Sequence, residues 1–333
     1  MDHTSHQPNL SRHSQASIIM SDTQWGKRRW YDILPLFCVP YMELCHISTP
    51  APIFLIYFPH LYGAIYAATV QETPLADFLH VCMVLFAGTV FFSNAAHAWN
   101  DIIDVPIDSI ILRTKNRPIP RGAITPSTAT VFMFSQACSA AVFLFVIRSR
   151  DTALCTVPTI VGTAYYPFAK RHTFFPQVML GFYLAWGVIV GASAGLGRQA
   201  IEGPALCLVF ACISWTMIYD TMYAYMDLQE DLRVGVKSTA VFFQANTKTF
   251  LWLMLGSMLS SLVLFGCWSG MGSSFYTISL GGCLMSQSLM IKRVDLEMPE
   301  SCWWWFSNGF WAAGASITAG LVTEYLRRLS YRE

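Results

Sequence analysis

Nine mostly apolar stretches of about 20 residues, the length of a membrane-crossing helix, recur through this 333-residue chain and leave it few ways to fold. Inside a bilayer every backbone N–H and C=O must be paired within its own segment, so such stretches are helical. They run at 50–70, 78–97, 129–147, 152–169, 178–197, 203–219, 249–268, 273–291 and 302–323. The expected fold class is all-α: a polytopic membrane protein with nine transmembrane helices. Charged residues make up 12% of the chain, about half the share usual in soluble proteins. A net charge of +1 gives no electrostatic footing for nucleic acid. The ten cysteines have no CxxC pair and no Cys/His ligand spacing, so they read as small apolar fillers.

Residues 1–29, rich in His, Ser, Gln and Asn, predict a disordered polar tail ahead of a membrane domain at 30–325 and a short basic tail at 326–333. Arg12, Lys27, Arg28 and Arg29 suit a mitochondrial presequence, whereas Asp2 and Asp22 count against one. Trp30, Tyr31 and Tyr41 read as interfacial, and so does the run Trp303, Trp304, Trp305. Of the 21 Lys and Arg, fifteen fall in the N-terminal segment and the loops after the second, fourth, sixth and eighth spans, leaving six opposite. The positive-inside rule therefore makes the first group cytoplasmic.

Two acidic windows lie on that basic side. One runs from Asn100 through Asp101 and Asp104 to Asp108, and the other from Asp220 through Asp227 and Glu230 to Asp231. Four-residue steps place Asn100, Asp104 and Asp108 on one helical face. A seven-residue step falls about 20° short of two turns, so Asp220, Asp227 and Asp231 predict a second stripe on one helix. Pro106 lies between two of these acids and is expected to bend the axis, pointing Asp108 away from Asn100 and Asp104. Ionisable groups at membrane depth are costly, and their default reading is functional. Oxygen ligands converging from two helices suit Mg²⁺, which prefers a few carboxylates together with substrate phosphates. The nearby cations Arg113, Lys115, Arg117, Lys170, Arg171 and Lys237 suit the remaining phosphate oxygens.

At these residues the sequence resembles the UbiA superfamily of intramembrane aromatic prenyltransferases, particularly its 4-hydroxybenzoate polyprenyltransferase branch. Four blocks in order carry the likeness: Asn100 to Asp108, running into Arg113-Thr114-Lys115-Asn116-Arg117-Pro118-Ile119-Pro120-Arg121-Gly122; Tyr166-Pro167-Phe168-Ala169-Lys170-Arg171; Pro176-Gln177 with Gly181; and Tyr219-Asp220 through Asp227 and Asp231 to Lys237-Ser238-Thr239-Ala240. The resemblance implies a bundle of nine transmembrane helices around a central cavity capped by both acidic motifs, and Mg²⁺-dependent transfer of a prenyl group from its diphosphate to an aromatic ring. It implies Asn100, Asp104, Asp108, Asp227 and Asp231 as metal ligands, the four aspartates among them being catalytic. Arg117, Lys170, Arg171 and Lys237 match diphosphate-contacting positions, and Asp220 and Tyr223 supporting ones. One departure is at the first span, where the family's basic residue followed by Lys-Pro and Gly is replaced by His46-Ile47-Ser48-Thr49-Pro50. A cation is then missing, unless His46 takes its place.

The implied partners are an isoprenoid diphosphate, farnesyl favoured, a phenolic acid acceptor and the lipid bilayer. Aromatic side chains lining the cavity would shield the allylic cation from water. His60, His80 and His97 read as hydrogen-bonded structural residues, and His172 as a further diphosphate contact. An orsellinic-acid-type acceptor in a meroterpenoid pathway on an endomembrane is favoured over ubiquinone biosynthesis in the mitochondrial inner membrane. A transporter is the rival from another class, but its acids would sit near the bilayer midplane rather than at span ends.

Overall fold

The computed structural model describes residues 30–147 and 149–330, and no strand occurs among them. The expected tail at 1–29 lies outside the described residues, as do Arg148 and residues 331–333. After a short helix α1 (Val39–Leu44), the bundle begins with α2 (Ala51–Gln71), α3 (Leu75–Asp108) and α4 (Pro126–Ile147). It continues through α5 (Arg150–Cys155), α6 (Val157–His172), α7 (Pro176–Ala185), α8 (Gly187–Leu196) and α9 (Gly203–Tyr225). Two short helices, α10 (Leu228–Val234) and α11 (Thr239–Phe243), precede α12 (Thr247–Trp268).

Among the described residues, six helical stretches are long and apolar enough to cross a membrane: Ala51–Gln71, Leu75–Asp108, Pro126–Ile147, Pro176–Ala200, Gly203–Tyr225 and Thr239–Trp268. Three of the nine expected spans differ for local reasons. The stretch 152–169 divides into α5 and α6 at Thr156, just before Pro158, and α6 has 16 residues with Lys170, Arg171 and His172 in its last turn. The stretch 273–291 is interrupted by a π-helical turn at Tyr276–Leu280 before α13 (Gly281–Arg293). The last lies within α14 (Pro299–Ser330), which is 32 residues long but diluted by Glu300, Ser307, Asn308 and Glu324.

Close helix contact holds the core together. A Cβ on Gly63 of α2 would lie 1.9 Å from the Val188 carbonyl oxygen, and one on Gly191 of α8 1.9 Å from that of His60. Only glycine lets these two backbones approach so nearly, as small residues do between helices in lipid. At the centre, α9 buries Trp215 and Tyr219. By contrast α4 buries only Ala129 and presents Val131, Phe134, Val142 and Phe145 outward, a surface suited to lipid.

Length places the site. The 34 residues of α3 span roughly 50 Å at the α-helical rise, whereas the hydrocarbon core is about 30 Å thick. Its last turns, which bear the first acidic window, therefore extend toward the membrane surface. Two expected interfacial rings instead turn inward: Tyr31 is buried, and Trp303 lines a cavity.

Candidate active site

Asp101, Asp104 and Asp108 share one inward face of α3 and are 1%, 1% and 3% exposed. The expected divergence of Asp108 does not occur, because α3 runs through Pro106 and one cation ties both sides of it together. Arg117 Nη1 donates to Asp101 Oδ1 at 2.9 Å and to Asp108 Oδ2 at 2.7 Å. Burial opposes the Arg117 charge, but Asp101 and Asp108 outweigh it and raise the guanidinium pKa above its ordinary value. Lys170 Nζ, from the end of α6, donates to Asp104 Oδ2. Each buried carboxylate thus has the partner without which its desolvation would be uncompensated.

The second window is not a single stripe. Helix α9 ends at Tyr225, and Asp227 stands at the N-cap of α10, so Asp220 lies on a different helix from Asp231. The Asp227 side chain makes no capping hydrogen bond there, while Glu230 and Asp231 in the first turn suit the positive helix end. The break also brings Asp227 to Arg113, whose Nε and Nη2 donate to Oδ1 at 2.9 Å and Oδ2 at 2.5 Å. Arg113 Nη1 donates to the Tyr223 hydroxyl at 2.8 Å. Burial, and then the charge of Asp227, push the Asp231 carboxyl up to about 7. Asp220 remains on α9, hydrogen-bonded to Gln177, whose Oε1 accepts from the Thr239 N–H at 3.2 Å.

The two windows meet at one place. Arg113, bound to Asp227, also feels the charge of Asp108. Lys170, bound to Asp104, acts on Asp220 and Asp231. The loop between α3 and α4 is fastened to α10 by the Leu112 N–H, which donates to Glu230 Oε2 at 3.2 Å. Two other expected cations brace the rim: Arg171 Nη2 donates to the Ile103 carbonyl at 2.8 Å, and Lys237 Nζ to that of His172 at 3.3 Å. His172 itself pairs with the Tyr165 hydroxyl at 2.5 Å.

Beside the acids lies a cavity of about 210 Å³, lined among others by Asn100, Arg117, Asp220, Tyr219, Tyr223 and Phe306. A second cavity of about 450 Å³ lies among α3, α4 and α6, with an almost wholly apolar wall that includes Leu85, Phe92, Phe134 and Leu144. Ala96 and Thr163 line both, so the polar chamber adjoins the apolar one there. Sequence reasoning did not single out Asp101, which joins Arg117 to His46, or the aromatic liners Tyr166, Tyr219 and Phe306. Asp101, Tyr166 and Tyr219 stand inside the matched motifs, which was the available signal; Phe306 had none.

Among the described residues, no three His, Cys, Asp or Glu side chains lie close enough together to hold a metal ion by themselves. Two oxygens nevertheless await a partner, since Asn100 Oδ1 and Asp104 Oδ1 are buried without a hydrogen bond. Such a donor set fits Mg²⁺ completed by phosphate oxygens rather than an all-protein cage.

Comparison with known proteins bears on the fold and the family. The model of the UbiA prenyltransferase family matches residues 56–314. The chain is 36% identical over 262 residues to the prenyltransferase adrG of Penicillium rubens, covering 75% of this chain and 78% of that one. It is 27% identical over 320 residues to the mitochondrial 4-hydroxybenzoate polyprenyltransferase of Schizosaccharomyces pombe, covering 96% and 89%. A UbiA homolog from Aeropyrum pernix superposes with a TM-score of 0.65 at 23% identity, covering 81% of this chain and 97% of that one. Another from Archaeoglobus fulgidus, bound to DMAPP and Mg²⁺, gives 0.61 at 17% identity, covering 87% and 99%. The chain therefore belongs to the UbiA prenyltransferase family, as a multi-pass membrane transferase.

Proposed function

We propose that this protein moves a prenyl group, farnesyl in the first instance, from its diphosphate to an aromatic carbon of a phenolic acid. The observation carrying this reading is the meeting of both acidic windows and their cations beside an aromatic-lined cavity that adjoins an apolar one. Asn100, Asp104, Asp108, Asp227 and Asp231 would hold Mg²⁺, which supplies charge neutralisation to the diphosphate as the allylic C–O bond breaks. Lys170 and Arg117, joined by Arg113, would bind diphosphate oxygens, with Arg171 and Lys237 on the rim. Tyr223 and Asp220 would support this set from α9.

The larger cavity suits the isoprenoid chain, because its wall is apolar and its occupant would leave water there. The smaller one suits a single substituted ring, since a cavity of about 150 Å³ can hold benzene. Its aromatic wall would stabilise the allylic cation and exclude solvent until the ring carbon attacks. In this reading nine segments cross the membrane, the three interrupted stretches included, and the acid site faces the cytoplasm. The greater identity to the prenyltransferase adrG than to the mitochondrial enzyme of Schizosaccharomyces pombe supports a role outside ubiquinone biosynthesis, and in this reading the acceptor is of the orsellinic-acid type, in a meroterpenoid pathway on an endomembrane. Ubiquinone biosynthesis is the second reading, supported by the fuller coverage of the mitochondrial relative.

The test is to incubate membranes with farnesyl and longer diphosphates against orsellinate and 4-hydroxybenzoate, and to identify products by mass. Farnesyl orsellinate as the main product is expected. Polyprenyl hydroxybenzoate would favour the second reading, and no prenylated ring from any pair would overturn both.

A further inference from the structure

The roles above leave unused a residue at the mouth of the polar cavity, His46, in the turn between α1 and α2. Its φ is 54°, in the left-handed region where a side chain strains the backbone. Two contacts hold it there. Its ring packs on that of His97 with centroids 4.8 Å apart, and its Nε2 lies 3.0 Å from Asp101 Oδ2. Both imidazoles line the cavity beside Asn100 and Arg117. Asp101 already accepts from Arg117 on its other oxygen, so it is the acceptor toward His46 as well, and Nε2 carries the proton. In the neutral ring this makes Nδ1 a lone-pair acceptor, and no hydrogen bond to Nδ1 occurs among the described residues.

We propose that Nδ1 of His46 accepts a hydrogen bond from the ring hydroxyl of the aromatic acceptor, so that this wall of the cavity reads a phenolic O–H. The assignment rests on the aromatic-transfer reading above and names the acceptor group its site selects. An arginine or lysine at this place would draw in an acid group. A neutral imidazole turned by Asp101 presents a lone pair instead, which repels a carboxylate and welcomes a hydroxyl. Accepting that hydrogen bond increases electron density on the phenol oxygen and its ortho carbon, and it fixes which ring edge meets the allylic carbon. The carboxylate–imidazole pair thus positions the acceptor, while the acids beyond it handle the diphosphate.

The test compares wild type, His46→Leu and His46→Gln in membranes supplied with farnesyl diphosphate and Mg²⁺. Orsellinate and 4-hydroxybenzoate serve as acceptors, and 4-methoxybenzoate, which lacks the donor, as a competitor. His46→Leu should raise the KM for the hydroxy acids about tenfold, the worth of one such hydrogen bond, while the KM for farnesyl diphosphate and the inhibition constant of the methyl ether stay unchanged. Glutamine can both donate to Asp101 and accept from the phenol, so His46→Gln should recover most of the loss. Equal weakening of hydroxy acid and ether, a raised KM for farnesyl diphosphate, or unchanged hydroxy-acid KM in His46→Leu would each overturn the assignment. Wild-type membranes that prenylate neither acid would overturn the aromatic-transfer reading itself.

Discussion

The two acidic windows are alike in composition and opposite in construction. The first sits on the unbroken end of α3, with its carboxylates buried and gripped by Arg117 and Lys170. The second is assembled across a helix break, with Asp227 turned to Arg113 and Asp231 buried beside it. A continuous helix gives the first window fixed geometry at the cost of needing cations to neutralise it. A break lets the second window turn Asp227 to Arg113 while Asp231 stays buried on the next helix. One half of the site is thus set by helical spacing and the other by a pairing between distant parts of the chain.

The largest expected effect breaks both halves alike. Asp104→Ala and Asp227→Ala should each lower prenyl transfer about a hundredfold or more, on the scale of a lost transition-state contact, with membrane insertion retained. Near-normal turnover in either variant would separate that half from the chemistry. Stability should tell the halves apart. Arg117→Gln leaves Asp101 and Asp108 buried without their guanidinium and should cost about 3 kcal/mol. Arg113→Gln frees a carboxylate that is 14% exposed and should cost about 1 kcal/mol. Thermal unfolding in detergent measures the difference, and equal losses would remove the contrast. The smallest effect concerns pH. With its carboxyl near 7, Asp231 holds a proton below that pH and releases it above, so protons compete with the metal on the acid side. Mg²⁺ affinity should therefore rise about tenfold from pH 6 to pH 8, and Asp231→Asn should flatten that rise.

Much of this was legible in the chain because the acids stand out against apolar spans and because α3 obeys helical spacing through Pro106. The break before Asp227 was not legible, since its geometry depends on Arg113, 114 positions earlier in the chain. Local spacing sees only Asp220, Asp227 and Asp231 at near-helical intervals. The interruptions within two of the nine expected spans were hidden for a related reason: apolar content persists across Thr156 and the π-helical turn at Tyr276–Leu280, where the backbone departs from one straight helix. Among the cavity liners Tyr219 was hidden because α9 is apolar nearly all round, so no periodicity separates it from side chains facing other helices.

The most direct measurement is binding of farnesyl S-thiolodiphosphate, a non-reacting analogue, to purified protein with Mg²⁺ and with EDTA. Wild type, Asp104→Asn, Asp227→Asn and the double variant form the series. If both windows share one diphosphate through divalent ions, wild type binds only with Mg²⁺, each single variant loses most of that binding, and the double variant loses little more. Binding that survives chelation, or single losses that simply add in the double variant, would contradict a shared clasp.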